Sequence, residues 1–190
     1  AAEIAARASL RAASLLISKL RYADALVEIE RVSGIRNQSL RDAAAILGAY
    51  CTVSSGNYEV KELDRIINGS APSEIRYRAM LVKSRIPRIR LINNQIEVKK
   101  GLEQYRDEIL AALQFARHQR IFRSSADGIF DAISERESLE FLVSLYLRYD
   151  YSLEALRYAE IVRQLDFASL HDKPVSSVLP VSAFSALKER

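Results

Sequence analysis

The sequence predicts an all-α fold, an α-α superhelix of antiparallel helical hairpins, and three observations carry that prediction. Six Gly and four Pro in 190 residues are too few for the frequent turns of a β-sandwich, whereas Ala, Leu, Ile, Arg and Glu dominate. Apolar residues recur at i, i+3, i+4 and i+7 through most of the chain, the period of an amphipathic helix. Ala25 and Val60 occupy matching places in successive hairpins 35 residues apart, close to the period of stacked helical pairs.

Taken in order, the opening run AAEIAARASLRAASLLISKL shares the Ala, Ser and Arg bias of an organelle transit peptide. Glu3 and its smooth continuation through Leu15, Leu16 and Leu20 read it as a first helix instead. Tyr22 and Ala23 open a second, whose stripe is Ala25, Leu26, Ile29 and Val32 and whose stop is Gly34. Ser39 is placed to cap a helix through Ala43, Leu47 and Tyr50, ended by Ser54, Ser55 and Gly56. Val60, Leu63, Ile66 and Ile67 form the next stripe, closed by Asn68 and Gly69.

Pro72 and Ser73 start a helix with Ile75, Ala79, Met80 and Val82, predicted to break near Ile86 because Pro87 lacks an amide proton. Around Asn93 and Asn94 the period is lost until Gly101, and from Leu102 it resumes through Tyr105, Ile109, Leu110, Leu113 and Ala116. Ser124 or Ser125 is read as the start of a helix with Ile129, Phe130 and Ile133, and Ser138 as the start of one with Leu139, Leu142, Leu145 and Tyr146. The last helix carries Leu153, Ala155, Leu156, Ala159 and Val162. Residues 1–166 are thus expected to form a helical-repeat domain, and 167–190, with two Pro and many Ser, a tail or linker with at most one short helix.

Set on the pattern W-x2-L-G-x2-Y…A-x3-F…P, the second hairpin places Leu47 and Gly48 at the L-G pair, Cys51 near the Tyr slot, Val60 at the small-residue slot and Pro72 at the closing Pro. Ala13, Leu16, Ala25 and Ile29 match in the first hairpin, and Leu142, Tyr146, Ala155 and Ala159 in the last. These segments resemble tetratricopeptide repeats. The resemblance implies close helix crossings at short residues such as Gly48 and Ala155. Departures include the absence of Trp, Asp64 on an apolar slot, and an irregular middle between Pro87 and Gly101. Within SLEALRYAEIVRQLD, residues Ala155, Ala159, Glu160 and Arg163 resemble the A-x-x-x-A-E-x-x-R helix that closes the repeat array in tetratricopeptide proteins fused to a caspase-like CHAT protease domain. That likeness implies a sensing or regulatory array whose protease lies outside this chain. A repeat helix with an exposed Glu and Arg fits the same residues.

Chemistry finds little footing. Cys51 could meet His118 or His171 as a nucleophile and base, yet it lies on an apolar face beside Leu47 and Tyr50. One Cys and two His without ligand spacing make no metal site, and no phosphate loop, dinucleotide fingerprint or nucleophile elbow occurs, so no cofactor is expected. The carboxylate pairs Glu28 and Glu30, Glu135 and Glu137, and Asp107 and Glu108 point apart on a helix and are read as solvated. The chain is expected not to be an enzyme. A single Cys and the lack of about 20 uninterrupted apolar residues lead to the expectation of a soluble, cytoplasmic protein without membrane contact. The missing initiator Met leads to the expectation of a fragment or processed piece.

The net charge is +4 and Arg exceeds Lys. Lys83, Arg85, Arg88 and Arg90 surround Pro87, while Arg117, His118, Arg120 and Arg123 crowd a helix end, where they also complement the helix dipole. Because guanidinium forks suit carboxylate and phosphate, Arg85, Arg88, Arg90, Arg117 and Arg120 are the candidate partner-binding residues, expected to be exposed. The functional expectation is a protein-interaction or regulatory module for another protein or an adjacent domain. The alternative is an RNA- or DNA-binding module using the Arg clusters.

Overall fold

A computed structural model describes residues 1–119, 121 and 128–170, with side chains as far as residue 163. Among these residues the chain is helical throughout, without strands: α1 (Ala2–Ser18), α2 (Tyr22–Glu30), α3 (Gln38–Ser54), α4 (Lys61–Asn68), α5 (Ser73–Ile92), α6 (Val98–His118), α7 (Glu135–Arg148) and α8 (Ser152–Leu170). The all-α prediction holds.

The four odd-numbered helices end in the same way. The chain leaves α1, α3, α5 and α7 through Leu20, Gly56, Asn94 and Asp150, all with φ between 55° and 87°. In each case the amide one residue later reaches back across the turn: Arg21 to the Leu16 carbonyl, Asn57 to Thr52, Gln95 to Arg90 and Tyr151 to Tyr146, at 2.8–3.0 Å. This left-handed cap satisfies carbonyls that a helix end otherwise leaves open, and it turns the chain back so that an even-numbered helix follows. Two N-termini have side-chain caps. Asn37 accepts from the Leu40 amide at 3.2 Å, and Ser134 accepts from the Glu137 amide at 3.4 Å. Both caps lie outside the Ser39 and Ser138 positions expected for them.

Packing follows chain order. Each helix contacts its sequence neighbour, and α1 packs on α3, α3 on α5 and α5 on α7, whereas α2, α4 and α6 do not pack on one another. Leu10, Ala13, Ile17, Ala25, Ile46, Leu47 and neighbours build one core under α1–α5 that reaches Ala112 and Ala116 of α6; Leu91, Leu102, Tyr105, Ile109, Leu142 and Tyr158 build a second under α5–α8. The α5 and α6 helices contribute to both.

Several expectations are corrected. The α5 helix runs through Pro87 without ending, and Pro87 itself is buried. The lost amide and ring clash cost about 3 kcal/mol, but both halves of α5 are buried against α3, α4 and α6, which outweighs it. Ile129, Phe130 and Ile133 are buried in the first core but lie in a turn, not a helix; Ser124 and Ser125 fall outside the described residues. The α8 stripe is Ala155, Tyr158 and Ile161, with Leu153 and Leu156 about 70% exposed and Ala159 also exposed. Tyr158 sets that register by stacking on Tyr146, with ring centroids 5.3 Å apart. Of the two glycines inside helices, the tight one is Gly101 rather than Gly48. A methyl group at 101 would meet Ile96 Cγ2 at 3.0 Å and Leu91 Cβ at 3.3 Å, whereas at 48 its nearest neighbour is Ile29 Cγ2 at 4.0 Å. Val60 precedes α4 as its N-cap and so is not a crossing residue. The α8 helix extends to Leu170, and the remainder of the expected tail, 171–190, lies outside the described residues.

The turn before α7 braces the stack. Ala132 donates its amide to Ser14 Oγ of α1 at 3.2 Å, and the next carbonyl, Ile133 O, accepts from Arg78 Nη1 of α5 at 2.8 Å. Consecutive Cα atoms lie about 3.8 Å apart, so two adjacent residues tie α1 to α5, which do not pack directly.

Candidate interaction surface

On α5 the residues Arg78, Arg85 and Arg88 fall at i, i+7 and i+10, one helical face. That face is turned into the protein. Arg85 is 7% exposed; its Cζ stands 4.0 Å over the Tyr50 ring and its Nη1 lies 3.4 Å from Glu137 Oε1. Arg88 shares that oxygen at 3.4 Å and sits 3.5 Å over the Phe141 ring. Arg78 is 5% exposed, with Glu135 Oε2 at 4.0 Å in addition to the Ile133 carbonyl. Both carboxylates stand in the first turn of α7, where the helix dipole also favours negative charge. The expectation of a solvated Glu135 is therefore corrected, whereas Glu137 stays half-exposed; the two point apart, as helical spacing requires, and each meets a different part of the arginine row.

Of the five arginines read as partner-binding, the fold brings Arg85 and Arg88 together and commits them to Glu137, so they are not the exposed patch that was expected. Arg90 points elsewhere, is exposed, and lies 5.9 Å from the Tyr58 ring. Arg117 is half-buried and has a partner of its own. Arg120 lies outside the described residues.

Burial decides the titrating groups nearby. Tyr105 is fully buried and donates to the Ser138 carbonyl at 2.8 Å, and loss of solvent pushes its pKa up to about 12. The same cause raises Tyr50 to about 12, against the opposing pull of Arg85. Cys51 is fully buried and its thiol is pushed up to about 11, so it is not a thiolate at neutral pH. Among the described residues no group of three His, Cys, Asp or Glu side chains is placed to hold a metal ion, and no helix is long and apolar enough to cross a membrane.

Open surface lies over α3 and between α5 and α6. Between α2 and the start of α4, the α3 helix presents Ala44, Ala45, Gly48, Ala49 and Thr52 as the floor of a groove of about 450 Å³, walled by Ile29 and Val60. Small residues make it: each is too short to fill the gap between its neighbours. A second groove, of about 540 Å³, runs between α5 and α6, with Lys83, Pro87 and Arg90 facing Asp107, Glu108 and Ala111. Lys83 is held at its edge by Asp64 of α4 at 2.8 Å, which accounts for the charge on a nominal apolar slot. A third, more polar hollow of about 420 Å³ surrounds Asp42, a buried carboxylate that accepts from Arg65 Nη2 at 2.7 Å and Gln38 Nε2 at 2.8 Å.

No family model matches the chain, and comparison with curated proteins and with solved structures gives no match. The grooves were not anticipated from sequence, although a run such as AAAILGAY held the signal: small residues on the α3 face opposite Ala43, Leu47 and Tyr50. The Arg–Glu137 link had no local signal, since its partners are 49 and 52 residues apart in the chain.

Proposed function

We propose that this chain is a protein-interaction or regulatory module, a tetratricopeptide-like superhelix of hairpins that holds another protein, or an adjacent domain of its own chain, in two surface grooves, one over α3 between α2 and α4 and one between α5 and α6. One observation carries the reading: α2 and α4 do not pack on each other and leave a groove of about 450 Å³ over α3, and a second groove of about 540 Å³ lies open between α5 and α6. A repeat stack of this kind offers extended surface without requiring a catalytic centre. A soluble, cytoplasmic setting is part of the proposal.

The nucleic-acid reading draws less support. It relied on exposed arginines, and two of them are spent on Glu137 and on aromatic faces. The likeness of Ala155, Ala159, Glu160 and Arg163 to the closing helix of arrays upstream of CHAT protease domains remains compatible with a regulatory role. Glu160 and Arg163 pair with each other at 2.6 Å on an exposed face.

The test is site-specific photo-crosslinking in cells, with the crosslinker at Lys61 beside the first groove and at Arg90 beside the second. The expected result is a discrete protein adduct, or an internal crosslink to a neighbouring domain, from at least one site. Adducts to RNA alone, with a steep loss on raising salt, would replace this reading with the nucleic-acid one.

A further inference from the structure

We infer that the groove over α3 receives a basic amphipathic helix, an inference that rests on the interaction reading above and names its partner class. The floor is apolar and open, made of Ala45, Gly48 and Ala49 between the side chains of Ile29 and Val60. Such a surface accepts the apolar face of a helix, whose anchors at i, i+3, i+4 and i+7 fit a trough between two walls.

Charge selects the sign of the partner. The charged residues lining this groove are Glu30, Glu59, Glu62 and one cation, Lys61, in a chain whose net charge is +4. Glu62 is engaged by Arg65 at 2.7 Å, but Glu30 and Glu59 form no ion pair among the described residues. They stand on opposite walls, Glu30 at the end of α2 and Glu59 just before α4. A helix lying between them meets a carboxylate on each side of its apolar stripe. Lys or Arg flanking that stripe gains at both edges, while Glu or Asp is repelled there.

The probes are two fluorescein-labelled peptides of equal length, each with Leu at the four anchor spacings and either Lys or Glu at every flanking position, titrated by fluorescence anisotropy against the full chain. The Lys peptide is expected to bind at least tenfold more tightly than the Glu peptide. The double charge reversal Glu30→Lys with Glu59→Lys, both at exposed positions that leave the fold intact, is expected to reduce or invert that preference. Filling the floor with Gly48→Leu is expected to block both peptides, with circular dichroism confirming that the variant is folded. Equal binding of the two peptides, no binding of the Lys peptide, or a preference unchanged by the double reversal overturns this inference. Crosslinks from Arg90 to a protein would still uphold the interaction reading in that event.

Discussion

The guanidinium of Arg85 stands over the ring of Tyr50, Cζ 4.0 Å from its centroid, joining α5 to α3 with an ion rather than a hydrocarbon. Such a contact is worth about 0.5–2 kcal/mol when partly desolvated, but it commits a charge to a site that is 7% exposed. Glu137 supplies the compensation. Removing it with Glu137→Gln leaves Arg85 buried without its counter-ion and is expected to cost roughly 2 kcal/mol in urea denaturation, below the 3–5 kcal/mol of a fully buried pair because the carboxylate is half-exposed. Combining Arg85→Met with Glu137→Gln should cost less than the sum of the single changes; strict additivity would show that the two do not interact.

Two glycines inside helices should respond with opposite sign. At Gly48 an added methyl meets Ile29 only at 4.0 Å, so Gly48→Ala is expected to stabilise by about 0.5–1 kcal/mol through helix propensity. At Gly101 the methyl would press on Ile96 and Leu91 at 3.0–3.3 Å, and Gly101→Ala should cost on the order of 1–3 kcal/mol. Thermal melts of both variants decide it, and equal responses would contradict the packing.

Leu20 turns the chain at the end of α1 with φ of 60° while remaining 72% exposed. A left-handed conformation costs a non-glycine residue about 1–2 kcal/mol, part of which glycine returns in unfolded-chain entropy. Leu20→Gly is therefore expected to raise stability by roughly 0.5–1 kcal/mol, whereas Gly56→Leu, at φ of 87°, should lower it. Chemical denaturation of the pair gives the comparison.

Stability should fall in alkali. Tyr50 and Tyr105 titrate near 12 when folded and near 10 when unfolded, so the unfolded chain loses protons first. Their contribution is intact below pH 10 and is lost between about pH 10 and 12, at roughly 1.4 kcal/mol per pH unit for each tyrosine. Denaturation midpoints across that range, together with tyrosinate absorbance, test this. A midpoint that stays level to pH 12 would mean that neither ring is buried as described.

Helix positions were legible wherever an apolar stripe had one period and one face, as in Leu63 and Ile66 of α4 or Tyr105, Ile109 and Leu113 of α6. Reading failed where a non-local contact decided the outcome. Pro87 predicts a break from local sterics alone, and only burial of both halves of α5 overrides it. In α8 the leucines define the buried face when the sequence is read alone, but the Tyr158 stack on Tyr146 rotates them outward. The arginine cluster was found as a charge pattern, yet its direction depends on Glu137, which arrives from a distant helix. The interaction grooves are spaces between elements, so the small-residue signal in α3 acquires its meaning only once α2 and the start of α4 stand on either side of it.

The hydrogen bond from Ala132 to Ser14 spans 118 residues, while helix packing elsewhere links elements that are adjacent or next but one in the chain. A stack with only such neighbour contacts can melt progressively from either end, each hairpin at its own midpoint. Closing so long a loop carries an entropic cost that must be met before the contact returns anything. It should therefore be among the last contacts to form on folding. Once made, it couples the first hairpin to the seventh helix, so that fraying at α1 is felt at α7 and the chain melts in one transition rather than by stages.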